Sequence, residues 1–336
     1  MNTTTPSPNT QASNPQAPNQ QTSNPKAPTP ELAGPQPGST TPAGRRALVL
    51  GGGGAAGNAW SIGVVAGLLD AGVDVTRADL IIATSAGSTA AAQISAADPD
   101  RLLADIVSPA PPPARAGRPG SGGARGGGPV VDHLRRTDEI FAAATDLPDL
   151  RRKLGASALA LDAASDGAWT ARWREIVAAR LPSPHWPERP LQIVAVDART
   201  GEPVVFDRDS GVDLVDAVAA SCSSGLPYAI GDRRYIDGGY RRSSENADLA
   251  AGYGRVLVLS PLGGRTRAPL DWGLRLAVQV EELRAGGSSV ETVLPDDDAL
   301  DAFGPDLTDP SIRPPAARAG HRQGAARARE LAEFWL

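Results

Sequence analysis

A single cysteine, Cys222, stands in the 336 residues, so no internal disulfide can form and no cysteine-based zinc cluster can be assembled. Histidine is nearly as scarce. His133, His185 and His321 are scattered, with neither an HExxH pattern nor paired spacing, which argues against a histidine-rich metal site. No metal and no organic cofactor is therefore expected. Long apolar runs are missing too: nothing approaches the ~20 residues that a membrane span requires. Neither sign of charge is in large excess. The 33 Lys and Arg against 38 Asp and Glu leave a net charge of −5 and no basic footprint of a nucleic-acid binder. Repeats and heptads are absent, which excludes solenoid, collagen and coiled-coil architectures. Aromatic residues make up only 4%, so Ala, Val, Leu and Ile have to fill the core. The first residues show no basic n-region followed by an apolar stretch and no Arg-rich amphipathic pattern, which sets the expectation of a cytoplasmic protein.

Glycine (37) and proline (31) are abundant instead, about a fifth of the chain against roughly 12% in average usage. The excess is local. Residues 1–44 carry ten prolines among Asn, Gln, Thr, Ser and Ala, with Lys26 and Glu31 as the only charges. Such a segment buries too little apolar surface to offset its ordering entropy, and a disordered tail is expected. Residues 109–129 hold six further prolines and seven glycines with Arg115, Arg118 and Arg125, and read as a flexible, solvated loop inside the domain. The domain itself is expected at 45–336.

Between these segments strand and helix patterns alternate. Short apolar runs at 46–51 (RALVLG), 80–84 (LIIAT), 192–196, 204–206 and 255–260 (RVLVLS) read as buried strands. Residues 58–71 place Ile62, Val65, Leu68 and Leu69 at helical spacing, and 88–97, 169–181 and 214–221 read as further helices. Buried strands alternating with helices predict an α/β fold with a largely parallel sheet.

Two motifs follow strands. The first is the run Gly51-Gly52-Gly53-Gly54-Ala55-Ala56-Gly57, which opens a helix. Its backbone can approach a ligand closely, and a helix N-terminus favours negative charge. Gly52, Gly54 and Gly57 also fit GxGxxG, but the acidic residue that would hold a ribose at the end of the next strand is missing: Asp79 precedes that strand and Thr84-Ser85 ends it. The second motif, Ala83-Thr84-Ser85-Ala86-Gly87, sits where an apolar strand passes into a helix of small residues. That is the setting of a nucleophile elbow, with Ser85 on the sharp turn. A serine hydroxyl needs a base. His321 is the one histidine after Asp237, and it lies in a segment, 316–329, that reads as an amphipathic surface helix; His185 sits in a proline-bracketed loop (SPHWP). The better base is Asp237, in Tyr235-Ile236-Asp237-Gly238-Gly239, where two glycines let a tight turn present the carboxylate; Asp197 at a strand end is its rival. Cys222 reads as buried filler. Trp169 and Trp173, at i, i+4 spacing, read as core or as the wall of an acyl pocket.

With these residues in this order the chain resembles the patatin-like phospholipases, which combine a glycine-rich oxyanion loop, a GxSxG serine and a later Asp-Gly-Gly/Ala. The resemblance extends to 194–206 (VAVDARTGEPVVF), 217–230 (AVAASCSSGLPYAI) and the small-residue stretch 320–326. It implies a three-layer sandwich around a largely parallel sheet, and a lipid acyl hydrolase in which Ser85 is the nucleophile and Asp237 the proton acceptor. The backbone of Gly52, Gly53, Gly54 and Gly57, with the N–H of Ala86, would form the oxyanion hole. Ala83, Gly87, Gly238 and Gly239 complete the motifs. A lipid or ester substrate and peripheral contact with a membrane are implied as partners. Ala83 replaces the first glycine of the serine motif, and Ala56 stands where many members carry a basic residue. The alternatives are a non-catalytic lipid- or nucleotide-binding protein that kept the glycine loop, an NAD-dependent enzyme, and an α/β-hydrolase-type esterase using His321.

Overall fold

The apolar runs assemble into one eight-stranded sheet in a computed structural model that describes Met1, residues 44–108 and residues 129–336. The expected tail (1–44) and loop (109–129) thus lie, apart from Met1, Gly44 and Pro129, outside the described residues. The strands are β1 (Arg46–Leu50), β2 (Leu80–Thr84), β3 (Leu191–Asp197), β4 (Pro203–Phe206), β5 (Tyr228–Ile230), β6 (Arg233–Asp237), β7 (Arg255–Leu259) and β8 (Ser289–Val293). The helices are α1 (Gly54–Asp70), α2 (Ala86–Ala96), α3 (Pro99–Val107), α4 (Pro129–Ala143), α5 (Leu147–Ala163), α6 (Trp169–Ala178), α7 (Leu214–Ser221), α8 (Leu276–Ala285), α9 (Asp297–Phe303) and α10 (Arg313–Trp335).

Strands β8, β7, β1, β2 and β3 run parallel, and β4, β6 and β5 add antiparallel pairs at the β3 side. The central strands are apolar throughout because both faces are covered. Side chains alternate between faces. Leu48, Leu50, Ile81, Ala83, Leu257 and Leu259 join the large core with α1, α2, α7 and α10. Their neighbours Ala47, Val49, Ile82, Val256 and Val258 meet Leu276, Val280 and Leu283 of α8 on the other side. On that same second face Val196 and Ile236 receive Leu150, Leu154 and Ala158 of α5. The result is a three-layer α/β/α sandwich.

The first layer is held by close approach of α1 and α10. A Cβ on Gly63 or Gly67 would lie 2.1–2.2 Å from the carbonyl oxygens of Ala317 and His321, and one on Gly320 or Gly324 would lie 2.3 Å from those of Trp60 and Val64. The two backbones therefore touch across four glycines. This corrects the expectation of a surface helix at 316–329. The helix is longer, and Ala316, Ala317, Ala319, Leu331 and Trp335 are among its buried residues. Small residues carry little hydrophobic signal, so the buried face did not register as one. Helix α1 also starts earlier than expected, at Gly54 inside the glycine run, and α6 ends sooner, at Ala178.

Replacing Gly320 by Val should lower stability by at least about 2 kcal/mol through overpacking. Ala326→Leu on the exposed side of α10 should change it by less than about 0.5 kcal/mol. Urea denaturation of both variants checks the contrast.

Candidate active site

Strand β3 brings the two candidate residues together. On one edge it pairs first with β2, as far as Thr84 opposite Val194, and then with β6, starting at Asp237 opposite Ala195. Strand β4 takes the other edge, since Ile193 pairs with both Ala83 and Phe206. β2 runs parallel to β3 and β6 antiparallel, so their C-terminal ends meet head to head. Ser85 is the first residue past one end and Asp237 the last residue of the other. The Ser85 hydroxyl donates to Asp237 Oδ2 at 2.8 Å.

Ser85 is held in a strained conformation, φ 52°, ψ −122°, that L-residues seldom adopt. It is half-buried. Its N–H donates to Ser221 Oγ (2.8 Å), and its carbonyl accepts from the N–H and hydroxyl of Ser88 (2.8 and 2.6 Å). Two motif glycines follow from backbone contact alone. A Cβ on Gly87 would sit 2.0 Å from the Leu50 carbonyl oxygen, and one on Gly238 would sit 2.1 Å from that of Val194. Ala83 lies fully buried in β2, its methyl part of the core.

Asp237 is 7% exposed. Its Oδ1 accepts from the Gly239 N–H at 2.8 Å. Burial raises its carboxyl from 3.8 to about 6, while the hydrogen bonds from Gly239 and Ser85 pull the other way, and no cation contributes. At neutral pH the carboxylate is ionised.

A buried polar loop fastens the strand ends. Asn246, in the left-handed region at φ 53°, donates through Nδ2 to Thr84 Oγ1 and to the Gly238 carbonyl, both at 3.0 Å. Its Oδ1 accepts from Arg241 Nη1. The fully buried Glu245 accepts from the hydroxyls of Ser243, Ser244 and Ser260. The Ser244 carbonyl takes the Gly52 N–H at 2.8 Å. Ser244, Glu245 and Asn246 did not stand out in the sequence, and Ser221 entered only as one residue of the stretches 214–221 and 217–230. The one signal was a polar run, SSEN, shortly after Asp-Gly-Gly, and such runs read as solvated turns.

The glycine loop passes beside the serine: a Cβ on Gly52 would lie 3.3 Å from Ser85 Cβ. Its donors are not all free. The Gly52 N–H is bound by Ser244 and the Gly57 N–H by the Gly53 carbonyl, so these two are corrected from the expected oxyanion set. Among the described residues the N–H groups of Gly53, Gly54 and Ala86 have no acceptor. Gly54 and Ala86 are the first residues of α1 and α2, so two helix N-termini converge on Ser85.

The other candidates fall elsewhere. His321 binds Asp70 at the far end of α1, Nε2 to Oδ2 2.8 Å. Sixteen residues separate Asp70 from Gly54, about 24 Å of helix. His185 is exposed in the connection before β3. His133, on α4, is half-buried, and burial followed by Arg136 and Arg267 lowers its ring pKa. No histidine is hydrogen-bonded to Ser85 or Asp237 among the described residues. Asp197 caps the β3–β4 turn through the N–H groups of Arg199 and Thr200. The Cys222 sulfur lies 3.7 Å from the hydroxyls of Ser88 and Thr89, and burial raises its thiol to about 11, so it stays protonated. Trp169 and Trp173 stack at 5.2 Å, and Trp173 Nε1 donates to the Ala219 carbonyl, clamping α6 onto α7.

Among the described residues no group of three His, Cys, Asp or Glu side chains could hold a metal ion, and no helix is long and apolar enough to cross a membrane. None of the curated proteins matches the chain. Among solved structures it is similar to VipD from Legionella pneumophila, at 12% identity and a TM-score of 0.39, with 86% of this chain and 67% of that one covered. It is also similar to the type III effector protein ExoU, at 17% identity and a TM-score of 0.35, where the match covers 87% of this chain and 54% of ExoU. The family model described as patatin-like phospholipase matches residues 48–251, more than half of the chain. The motifs around Ser85 and Asp237 all lie within that match, and the chain belongs to the patatin-like phospholipase family.

Proposed function

We propose that the protein is a serine hydrolase that cleaves carboxylic esters of lipids through a Ser85–Asp237 dyad. The observation that carries this reading is the 2.8 Å hydrogen bond from the Ser85 hydroxyl to a buried carboxylate, made at a strained turn with unclaimed N–H donors beside it. As Ser85 Oγ bonds to the acyl carbon, its proton passes to Asp237 Oδ2. The carbonyl oxygen becomes an oxyanion facing the N–H groups of Gly53, Gly54 and Ala86, and such preorganised donors are usually the largest electrostatic contribution to acyl transfer. Collapse of the tetrahedral intermediate breaks the ester C–O bond, and the protonated Asp237 returns the proton to the departing alkoxide. Water then attacks the acyl-enzyme while Asp237 again accepts a proton; the bond between the acyl carbon and Ser85 Oγ breaks, Asp237 returns the proton to Oγ, and the free acid leaves. A carboxyl near 6 suits both roles, being ionised at neutral pH yet basic enough to take the proton. We assign this activity to residues 45–336, with a lipid or ester substrate reached by peripheral membrane contact.

Ser85→Ala and Asp237→Asn should each lower hydrolysis of a p-nitrophenyl ester series by about 10³-fold or more. A fluorophosphonate probe should label the wild type and not Ser85→Ala. No labelling of a folded wild type would favour a non-catalytic lipid binder instead.

The raised carboxyl of Asp237 means that the folded state disfavours its ionisation. That penalty is absent below about pH 4, grows as pH rises to about 6, and is constant above. Two pH units correspond to about 3 kcal/mol at most. Asp237→Asn should therefore be as stable as the wild type near pH 4 and more stable at pH 8, by urea denaturation. Activity should follow the ionised form, with kcat/KM falling tenfold per unit below about pH 6. A profile flat down to pH 5 would remove Asp237 as the base.

His321→Ala should leave kcat unchanged, since its ring is tied to Asp70. A thousand-fold loss with the fold retained would move the mechanism to a Ser–Asp–His triad.

A further inference from the structure

A cavity of about 900 Å³ opens between α1, α2, α3, the end of α6 and the start of α10. Gln93 lines it, eight residues past Ser85 along α2, about 12 Å of helix from the elbow. Three guanidinium groups also line it, those of Arg101, Arg180 and Arg313. None of the three is in an ion pair among the described residues. Arg313 makes one hydrogen bond, from Nη1 to Asn58 Oδ1 (2.7 Å), and Asn58 is itself fixed by donating to Gln93 Oε1 (2.9 Å). The Arg180 guanidinium lies over the Trp173 ring, 5.4 Å from its centroid, with no acceptor among the described residues.

Arg313 is thus held in place with most of its N–H groups unused. Burial, and after it the charge of Arg180, lower its pKa. Two like charges thus line one cavity, the exposed Arg180 at its rim and the partly desolvated Arg313 within, an arrangement that an anion relieves. Two carboxylates share the wall. Asp98 Oδ1 is occupied as the cap of α3, accepting from the N–H groups of Asp100 and Arg101, and Asp105 is exposed. Cations remain in excess.

We propose that this cavity is a binding site for a phosphate ester, its phosphate held between Arg180 and Arg313. Planar guanidinium forks bind phosphate oxygens in pairs, and a tetrahedral anion offers enough oxygens for two forks, where one fork already satisfies a carboxylate. The volume far exceeds a bare phosphate and falls within the range of small-molecule sites. Leu102 and Ile106 of α3 offer an apolar wall for the organic part of the ester. The phosphate belongs either to a soluble ester or to an anionic lipid headgroup.

The site is separate from Ser85, so it is tested without hydrolysis, and a failure of the hydrolase reading leaves the result untouched. Calorimetric titration of the full chain with inorganic phosphate and with glycerol 3-phosphate, at constant ionic strength in chloride, gives the soluble arm. Sedimentation of Ser85→Ala protein with phosphatidylcholine vesicles, with and without phosphatidic acid, gives the lipid arm. Arg180→Gln and Arg313→Gln should each weaken binding about tenfold or more. If Arg313→Gln fails to fold because Asn58 loses its partner, the exposed Arg180 decides alone. Saturable binding of the soluble phosphates that depends on Arg180 supports the site with a soluble ester as ligand. Arg180-dependent sedimentation only with phosphatidic acid supports it with a lipid headgroup as ligand. No binding in either arm, or binding indifferent to these substitutions, overturns it.

Discussion

The head-to-head meeting of β2 and β6 on one edge of β3 is the constraint on which the rest of the site depends. Ser85 and Asp237 are 152 residues apart in the chain, and neither carries chemistry alone. Register places them together: Thr84 ends its pairing at Val194, and Asp237 begins at the next residue, Ala195. A slip of one residue in β6 would turn the carboxylate to the opposite face of the sheet, and a slip in β2 would carry Ser85 out of line with it. The side chains that resist such a slip do not react. Asn246 bonds to both strand ends at once, and a Cβ on Gly238 would collide with the Val194 carbonyl. The strained Ser85 backbone is kept by the same surroundings, since relaxing it would break the bond to Ser221 and move α2 off β1.

Electrostatically the site works by withholding partners. Among the described residues no arginine or lysine contributes to the Asp237 carboxyl, although the loop that follows it contains Arg241 and Arg242. Those two are directed to Asp248 and Glu282 instead. A cation at Asp237 would stabilise the carboxylate and depress its pKa, making it a poorer base. Burial without compensation does the opposite, and the fold carries an unfavourable buried charge as a result. The histidines are likewise occupied elsewhere, His321 by Asp70 and His133 among arginines. With no imidazole bonded to Ser85, the proposed dyad would draw its basicity from desolvation of the carboxylate itself. In the proposed reaction the two helix N-termini would act on the oxyanion rather than on the base.

Legibility in the sequence followed burial. Strands covered on both faces, such as LIIAT and RVLVL, are continuous apolar runs, and they appeared where expected within a residue. β6 (RRYID) begins with two arginines because its start lies near the sheet edge, and β8 (SVETV) alternates, so neither registered as a strand. Helices α3, α4, α5, α8 and α9 were missed as well. The candidate pair was readable because glycines bracket it for steric reasons, and Gly87 and Gly238 leave a trace in one dimension. The fastening residues leave none. Ser221, Glu245 and Asn246 act through contacts with distant segments, and a serine at a helix end or an asparagine in a polar run has many commoner explanations. Which loop N–H groups stay free was also beyond reach, since that depends on where the Ser244 carbonyl falls.

Helix α2 shows why small residues dominate a chain so poor in aromatics. Its first nine residues, Ala86–Ile94, are all buried, and alanine, glycine, serine and threonine make up most of them. A helix enclosed on every side has room for little beyond its backbone, and Gly87 against β1 removes the last slack. Gln93 near its C-terminal end holds Asn58 of α1 and also donates to the Arg180 carbonyl (2.9 Å), so both ends of α2 are pinned. A rod fixed in this way cannot rotate to relieve the strain at Ser85, because every rotation drives a side chain into a neighbouring backbone. Larger residues would add hydrophobic stabilisation, but they would move α2 away from β1 and slacken the turn. The fold keeps Ser85 strained by packing backbone against backbone, and the alanine- and glycine-rich composition of α2 follows from that requirement.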